Sequence, residues 1–416
     1  MRVRVLLALF VVLAGACSAR IDVTIPPPPV AERVRLAAHY LAEHVDANGR
    51  FAYLVHADGL PTPQEYSMAR HAGALYTIAF YALETGDRDV LPALRRGLDY
   101  VRKNHVRTFG AHRELSAVFP DPGEEDTFWK KQPAQGDSIA KLGTSALMLA
   151  ALALTRRVDP DSAPLDEMRR FARFILYMQY LSGRFSDRYR DGERDDVTYS
   201  IYSPSQSTYA LALLFAVDPD LDWLDAAARG ALYLVESQRA MREQPTDHWL
   251  LMTYEAMAPC FSRLEDGDEV RTTLLDHCAR IAEAMAQDQR LAGKTVTPFG
   301  AFDIDGNSCG TSARLEGLLG LRLALPPGRS GLARTLDRVI APALSFVCRC
   351  QLTDGPLKGG FIFSRQPAPA GLSAEQVDEF KRCRREIRID YVAHPIGALL
   401  RYQKTLAPAG AAPVRR

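Results

Sequence analysis

Helical segments of this chain alternate with short turns made of glycine and an aromatic residue. Gly49-Arg50-Phe51 returns as Gly183-Arg184-Phe185, and looser copies occur at Gly300-Ala301-Phe302 and Gly359-Gly360-Phe361. A repeated pair of helices cannot bury its apolar faces alone and gains a core only by packing against its neighbours. The sequence therefore predicts a ring or solenoid of helix pairs, and any site is expected at equivalent ends of the repeated helices.

Hydrophobic periodicity, read with helix start and stop signals, predicts twelve helices. They cover residues 29–46, 65–86, 88–104, 136–157, 164–182, 203–217, 221–240, 246–262, 266–288, 307–325, 329–352 and 388–405. Helices of odd rank carry more charge, whereas those of even rank are rich in small residues and leucine, which suits an inner ring of closely packed helices. We therefore predict an all-α fold, an (α/α)6 toroid with short β-like turns in its long loops, formed by one domain over residues 30–406.

This arrangement resembles the six-hairpin toroid superfamily, which includes many glycoside hydrolases, polysaccharide lyases and sugar epimerases. The segment from Gln179 to Phe185, QYLSGRF, is also similar to the Q-x-x-x-G-x-W repeat of terpene cyclases, with phenylalanine in place of tryptophan. The resemblance implies a carbohydrate substrate bound where the inner helices begin, beside the long loops that connect outer to inner helices. It does not choose a reaction, because one fold carries many chemistries.

The charge balance limits the partners. The chain has 51 basic and 50 acidic residues, a net charge of +1, so its total charge offers no footprint for nucleic acid. No glycine motif that would cradle a phosphate is present, and we expect no cofactor and no metal. A polysaccharide or oligosaccharide substrate and a monomeric protein are the expectations.

The amino terminus has the pattern of an export signal. Arg2 and Arg4 precede the apolar run Val5–Leu13, and Ala14-Gly15-Ala16 supplies small residues for cleavage, which predicts a signal peptide over residues 1–16. Cys17 then resembles the acylated cysteine of a bacterial lipoprotein, although lipid attachment and simple secretion both remain open. The expected location is the periplasm or outer envelope, with a membrane contact only through that anchor.

The ends of the chain are expected to lie outside the folded body. Residues 17–29 include four consecutive prolines and predict a stiff spacer, and residues 407–416 are rich in alanine and proline and predict a disordered tail. Six cysteines follow Cys17, and their pairing cannot be deduced from the sequence.

Groups that can do chemistry are concentrated at the predicted starts of the inner helices. Long connections precede these starts, around 47–64, 105–135, 183–202, 289–306 and 353–387, and loops on a rigid scaffold are where function tends to lie. The candidate catalytic residues are Glu65, His71, Asp303, Asp390 and His394. The candidate substrate-binding residues are Tyr66, Arg70, Tyr202, Gln206, His248, Trp249, Arg314, Glu316, Arg388 and Tyr391.

Hydrolysis of a glycosidic bond is the leading prediction, for an exported enzyme acting on an envelope or environmental polysaccharide. It needs one carboxyl group as acid and a second as base or nucleophile, and Asp390 with Asp303 is the leading pair. A lyase or epimerase acting on uronic acids is the alternative, with His or Tyr removing a proton and arginine neutralising the developing charge. Basic residues between Lys381 and Arg388 would then either form a cleft wall or be a solvated run.

Other interpretations stay open at this stage. Cys309 could act as a nucleophile with His394 and Asp390, or could join His248 and His71 at a zinc ion. The arginines could instead form buried ion pairs between helices, Arg70 with Glu316 or Arg388 with Glu65, and His71 could be a hydrogen-bonded core histidine. A glycan- or peptide-binding envelope protein without catalysis is a further alternative.

Overall fold

The computed structural model describes residues 23–25, 28–62, 65–121, 139–196, 200–296 and 299–406. The predicted signal peptide, Cys17 and the carboxyl-terminal tail lie outside the described residues. Within these ranges no helix is sufficiently long and apolar to span a bilayer.

The described residues form thirteen α-helices, which include all twelve of the predicted ones. They are α1 (Val30–Glu43), α2 (Met68–Thr85), α3 (Leu91–Asn104), α4 (Leu142–Val158), α5 (Leu165–Met178), α6 (Ser203–Phe215), α7 (Leu221–Arg239), α8 (His248–Met257), α9 (Gly267–Ala292), α10 (Ser308–Ala324), α11 (Ser330–Cys350), α12 (Ala374–Cys383) and α13 (Ile389–Leu406). Helix α12 is the additional one, because its segment was read as part of the loop 353–387.

Seven short strands lie in the long connections. They are β1 (Leu54–His56), β2 (Val106–Phe109), β3 (Leu115–Val118), β4 (Ile139–Lys141), β5 (Arg188–Arg190), β6 (Glu193–Asp195) and β7 (Glu386–Arg388). Strand β1 pairs antiparallel with β7, β2 with β3, and β5 lies between β4 and β6. The pairing of β1 with β7 joins a loop near the start of the fold to one near its end, so the two loops form one rim.

Two concentric rings of helices build the toroid. The inner helices α2, α4, α6, α8, α10 and α13 pack in that order, and α13 returns to pack against α2. Helix α4 is buried along its whole length from Leu142 to Thr155, as a helix surrounded by others must be. The outer helices α1, α3, α5, α7, α9 and α11 bury one apolar stripe each and present charge to solvent. The predicted (α/α)6 fold is confirmed.

Four of the glycine turns connect one outer helix to another: α1 to α3, α5 to α7, α9 to α11, and α11 to α1. At four turns the glycine has a positive φ and sits so close to a backbone carbonyl that a Cβ would come within 2.0–2.3 Å of its oxygen: Gly49 at Arg96 of α3, Gly183 at Arg229 of α7, Gly300 at Pro342 of α11, and Gly359 at Leu36 of α1. The last of these contacts connects the final hairpin to the first. The turns are therefore the joints of the ring, and the Gly359 turn closes it.

Buried glutamines reinforce three of these joints. The side-chain amides of Gln179, Gln289 and Gln351 each donate to the carbonyl of the turn glycine and to a carbonyl of the neighbouring outer helix, at Ala226, Val339 and Arg33 respectively. A buried backbone carbonyl without a partner costs free energy, so these amides satisfy groups that the close approach would otherwise isolate. The glutamine of the QYLSGRF segment therefore has a structural role.

Candidate functional site

A cleft of about 1020 Å³ opens on the face where the inner helices begin. Tyr202 before α6, His248 at the start of α8 and Arg314 on α10 reach it from the ring, and the loop from Phe302 to Asn307 forms another wall. Helix α12 lies along the rim, where Phe380 meets the edge of the Phe363 ring with centroids 6.2 Å apart. The long loops thus make one face concave, as the sequence predicted.

Carboxyl groups line the outer part of the cleft. Asp303 accepts from the Arg314 guanidinium at 2.8 Å, and Arg314 also donates to the Thr246 hydroxyl at 3.3 Å. Burial raises the pKa of Asp305, and the nearby charge of Asp303 raises it further. Burial likewise raises the pKa of Asp288, near the end of α9. The cleft lining therefore places three carboxyl groups, those of Asp288, Asp303 and Asp305, near one guanidinium group, that of Arg314.

Two histidines face each other at the inner end of the cleft. The rings of His248 and His394 meet edge to face with centroids 5.6 Å apart. His248 is only 6% exposed, and its Nε2 atom has no hydrogen-bond partner among the described residues. Burial, together with the charges of His394 and Arg314, holds the pKa of His248 well below its usual range. His248 is therefore a neutral imidazole whose buried Nε2 atom has its hydrogen-bonding capacity unused.

A buried chain of charges fixes the second histidine. His394 Nδ1 lies 3.0 Å from Glu316, whose other oxygen accepts from Arg401 at 2.9 Å. Arg401 also donates to Glu255 at 2.7 Å, and Glu316 and Arg401 have almost no exposed surface. Because a carboxylate bound to one imidazole nitrogen sets the ring orientation and proton position, Nε2 of His394 is the nitrogen left for chemistry. The His394 side chain is 22% exposed, which is consistent with that role.

Aromatic residues close the centre of the ring beneath the histidines. The hydroxyls of Tyr76 on α2 and Tyr209 on α6 share a hydrogen bond of 2.7 Å, and Arg401 donates to Tyr209 at 3.3 Å. The indole of Trp249 packs against Tyr209 and His394. Trp249 is therefore a buried packing residue behind the two histidines.

Asp390 is held in a separate cluster on the same face. Arg388 donates to both of its oxygens, at 2.6 and 2.8 Å, and Arg70 donates at 2.9 Å while also donating to the Tyr53 hydroxyl. Burial opposes ionisation of Asp390, but the two guanidinium groups outweigh it and hold its pKa well below its usual range. An aspartate so clamped cannot donate a proton at neutral pH. In the predicted pair of Asp390 with Asp303, whose roles the sequence left open, Asp390 therefore cannot be the acid.

The same cluster corrects the predicted ion pairs and the cysteine alternative. Arg70 and Arg388 pair with Asp390, while Glu316 pairs with Arg401 and His394, so neither pair predicted between helices forms.

The Cys309 thiol donates to Asp390 at 3.6 Å, and burial raises its pKa well above the usual range. A protonated thiol against a carboxylate is a poor nucleophile. Arg388 stacks over the Tyr391 ring at 4.5 Å, which makes Tyr391 a support of the cluster.

Four other candidates lie away from the cleft. His71 is fully buried, hydrogen-bonded to the Tyr66 hydroxyl at 2.7 Å and to the Gly97 carbonyl at 3.2 Å, and burial lowers its pKa to about 3. His71 and Tyr66 therefore anchor the first turn, which matches the core-histidine interpretation. Glu65 is exposed beside a smaller cavity of about 490 Å³ on the α1–α2 connection. Gln206 packs its amide against Gly143 of α4.

Two residues of the candidate site, Asp288 and Arg401, are not among the site residues predicted from the sequence. Asp288 resembles any acid of a charged outer helix, so no local signal marks it as a cleft residue. Arg401 is seven residues after His394 and therefore shares its helix face, which was a usable signal. Within the described ranges, no group of three or more His, Cys, Asp or Glu residues is arranged to hold a metal ion.

Comparison with solved structures finds proteins whose folds are similar to that of this chain. A D-mannose isomerase matches with a TM-score of 0.59 at 12% identity, over 90% of this chain and 97% of its own. A sugar epimerase from a ruminal bacterium matches with a TM-score of 0.60 at 11% identity, over 89% and 98%. An unsaturated glucuronyl hydrolase specific for heparin matches with a TM-score of 0.56 at 12% identity, over 90% and 97%.

These likenesses confirm the predicted (α/α)6 toroid fold. No protein-family model matches the chain, and no curated protein matches it in sequence. At such low identity a shared toroid does not identify a shared reaction.

Proposed function

We propose that this protein is a carbohydrate-active enzyme that transfers a proton between neighbouring atoms of a sugar, as epimerases and isomerases do. The observation that carries the proposal is the pair formed by His248, which lines the cleft, and His394, whose ring touches it. One imidazole is neutral with an unpartnered Nε2, and the other is oriented by Glu316. Two adjacent groups of this kind beside a bound ligand can exchange acid and base roles.

The chemistry follows from these positions. With the open-chain form of a reducing sugar bound in the cleft beside the two rings, Nε2 of His248 takes the proton from the carbon beside the carbonyl. The electron pair of that C–H bond forms a carbon–carbon double bond, and His394 gives a proton to the carbonyl oxygen, which leaves an enediol. For the isomer, His248 returns its proton to the former carbonyl carbon while the neighbouring hydroxyl gives its proton to His394 and becomes the new carbonyl. For the epimer, the first hydroxyl gives its proton back to His394, His394 protonates the original carbon from its other side, and proton exchange with solvent restores both histidines.

The surroundings support this assignment. Arg314 is near enough to lower the pKa of His248, so it places positive charge where the sugar oxygen becomes negative. Glu316, fixed by Arg401, stabilises His394 when it carries the proton. The proteins of similar fold include an isomerase and an epimerase. They also include a hydrolase, so the fold alone supports only carbohydrate chemistry.

Glycoside hydrolysis is the second candidate, and a specific observation favours it. Asp305 and Asp288 have pKa values raised by burial, which is what a carboxyl group needs in order to protonate a leaving oxygen. Asp303, paired with Arg314, would then be the second carboxylate. The reaction would take place in the outer cleft rather than at the histidines, so the two candidates use different residues.

Proton transfer can be tested directly. The full-length protein is incubated in D₂O with a panel of reducing mono- and disaccharides, and NMR follows deuterium entering the carbon beside the carbonyl. We expect enzyme-dependent exchange with at least one sugar, and a loss of at least about 100-fold in His248→Gln and in His394→Gln. His112→Gln, at an exposed histidine outside the cleft, is the matched control. Release of reducing ends from polysaccharides that is abolished by Asp305→Asn, with no deuterium exchange, would establish hydrolysis instead.

We also propose that the chain is exported and acts as a monomer on oligosaccharides or polysaccharides of the envelope or surroundings, with Cys17 as the candidate lipid anchor. The pattern of residues 1–17 supports this location. Labelling of cells with a radioactive fatty acid should mark the wild-type protein and not Cys17→Ala. An unlabelled wild-type protein recovered from the medium would favour simple secretion.

A further inference from the structure

The charge of the cleft is strongly one-sided. Of the described residues that line it, four carry carboxyl groups and one carries a permanent positive charge: Asp288, Asp303, Asp305 and Glu379 against Arg314. These residues give a formal charge of −3. Arg314 is already bound to Asp303, so the other carboxyl groups have no cation of their own in the lining.

Nearby basic residues do not compensate for this charge. The run that follows Glu379 is rich in arginine and lysine, but none of its cations lines the cleft. Lys381 pairs with Asp378, Arg382 with Glu386 and Arg385 with Asp58, while Arg384 donates to the Gln366 carbonyl. Arg388, at the end of the run, is held by Asp390. An acidic sugar entering the cleft would meet carboxylates and not these cations.

The cleft is nevertheless built to hold a ligand. His248 is more than nine-tenths buried and presents an unpartnered Nε2 atom at the inner end. Aromatic rings of Tyr202, Phe302, Phe363 and Phe380 line the walls, and Tyr202 is 43% exposed. Such faces pack well against sugar rings. The acidic groups therefore lie around a pocket with its own binding features.

We propose that the cleft recognises a glycan whose sugars carry free amino groups and rejects one whose sugars are uronic acids. A protonated amine would supply the counter-charge that Asp288, Asp305 and Glu379 lack, while a uronate carboxylate would add repulsion in a partly desolvated space. This inference rests on the proposed function in taking the same cleft as the substrate site, and it names the class of sugar. It replaces the uronic-acid substrate that the sequence suggested for a lyase or epimerase.

Binding of three oligosaccharides of equal length tests the proposal. Titration calorimetry compares the tetramers of glucosamine, N-acetylglucosamine and galacturonate on the full-length protein at pH about 6, where the amine is protonated. At about 0.01 M salt we expect the glucosamine tetramer to bind about tenfold more tightly than the neutral tetramer, and the galacturonate tetramer about tenfold more weakly. At about 0.15 M salt the differences should shrink.

Single substitutions connect the preference to the cleft. Glu379→Gln lies on the exposed side of α12, where no residue is buried, so it should fold normally and reduce the glucosamine preference about two- to fivefold. Asp305→Asn should do the same from the opposite wall. Asp268→Asn, at an exposed position of α9 outside the cleft, is the matched control and should leave the preference unchanged.

The outcomes separate this inference from the proposed function. Galacturonate binding as tightly as the neutral tetramer, or glucosamine binding no more tightly than it, would overturn the inference whatever the enzyme does. The expected ranking without deuterium exchange on any sugar would leave the inference standing and remove the proton-transfer function. A preference that Glu379→Gln and Asp305→Asn leave unchanged would show that other charges cause it, which also overturns the proposal.

Discussion

Replacement of Gly359 by alanine should open the joint between the last and first hairpins. Gly359 has φ of 98°, and a Cβ there would lie 2.2 Å from the Leu36 carbonyl oxygen and 3.0 Å from Cβ of Tyr40, both on α1. The residue also donates its N–H to the Leu352 carbonyl at 2.8 Å, so the turn cannot rotate freely to relieve the contact. The substitution therefore forces the turn away from α1.

The expected cost has two parts. An alanine at positive φ costs about 1–2 kcal/mol relative to glycine. Overlap with a backbone oxygen cannot be relieved by a change of rotamer, and overpacking of this kind costs about 1–3 kcal/mol. The sum, about 2–5 kcal/mol, is a large part of the roughly 5–15 kcal/mol that stabilises a typical fold.

Substitutions at two other glycines measure the backbone cost separately from the overpacking cost. Gly355 has φ of 74° but nothing within 4 Å of its Cβ position, so Gly355→Ala should show the backbone cost alone. Gly331, in the first turn of α11, has neither a positive φ nor a close neighbour, and Gly331→Ala should stabilise slightly, by up to about 1 kcal/mol.

Urea unfolding followed by circular dichroism gives the three free energies. We expect stability to fall in the order Gly331→Ala, Gly355→Ala, Gly359→Ala. The reasoning is refuted if Gly359→Ala and Gly355→Ala agree within about 0.5 kcal/mol, because the close approach to α1 would then contribute nothing.

Three further outcomes are expected. Glu316→Gln removes a buried carboxylate from between His394 and Arg401. It should lower the free energy of unfolding by about 3 kcal/mol, measured in urea, and reduce deuterium exchange at least about 100-fold. Exchange at the wild-type rate would exclude Glu316 as the group that positions His394. Burial raises the pKa of Asp247, the cap of α8, to about 6, so the folded state binds its proton more tightly than the unfolded state does. Stability should therefore fall as pH rises from about 4 to about 6, by roughly 3 kcal/mol; Asp247→Asn, which keeps the cap, should lose that component, and parallel pH profiles for the two proteins would contradict the assignment. Cys309 should react with iodoacetamide at neutral pH more slowly than a free thiol, since burial raises its pKa; peptide mapping by mass spectrometry measures the rate, and fast labelling would reopen the cysteine mechanism.

The helices were predictable because their signals are local. Inner helices such as α4 have small residues around their circumference, outer helices such as α5 have one apolar stripe, and glycine marks turns between helices. The sequence predicts a loop at helix α12 because the helix is only ten residues long, is mostly polar and has no buried residue. Its capping box, formed by Ser373 and Gln376, was the available signal.

The candidate site was predictable only as a region. Asp303, Arg314, Tyr202 and His248 do meet at the cleft, because all lie at inner-helix starts on the same face. Asp390 begins an inner helix as well, yet two arginines neutralise it, and no local pattern distinguishes an available carboxylate from a clamped one. Asp288 joins the site from an outer helix, which the rule of inner-helix starts excludes.

The sequence by itself determined the period of the fold. Glycines that must adopt positive φ and touch a neighbouring backbone, together with helices of two kinds, leave a closed double ring as the way to bury every apolar stripe. Only the tertiary structure decided the partners: Asp390 with Arg70 and Arg388, Glu316 with Arg401, and His248 with His394. The physical reason is that these contacts depend on the rotation and height of each helix in the ring. Those quantities follow from packing among all the inner helices at once, and no single segment encodes them.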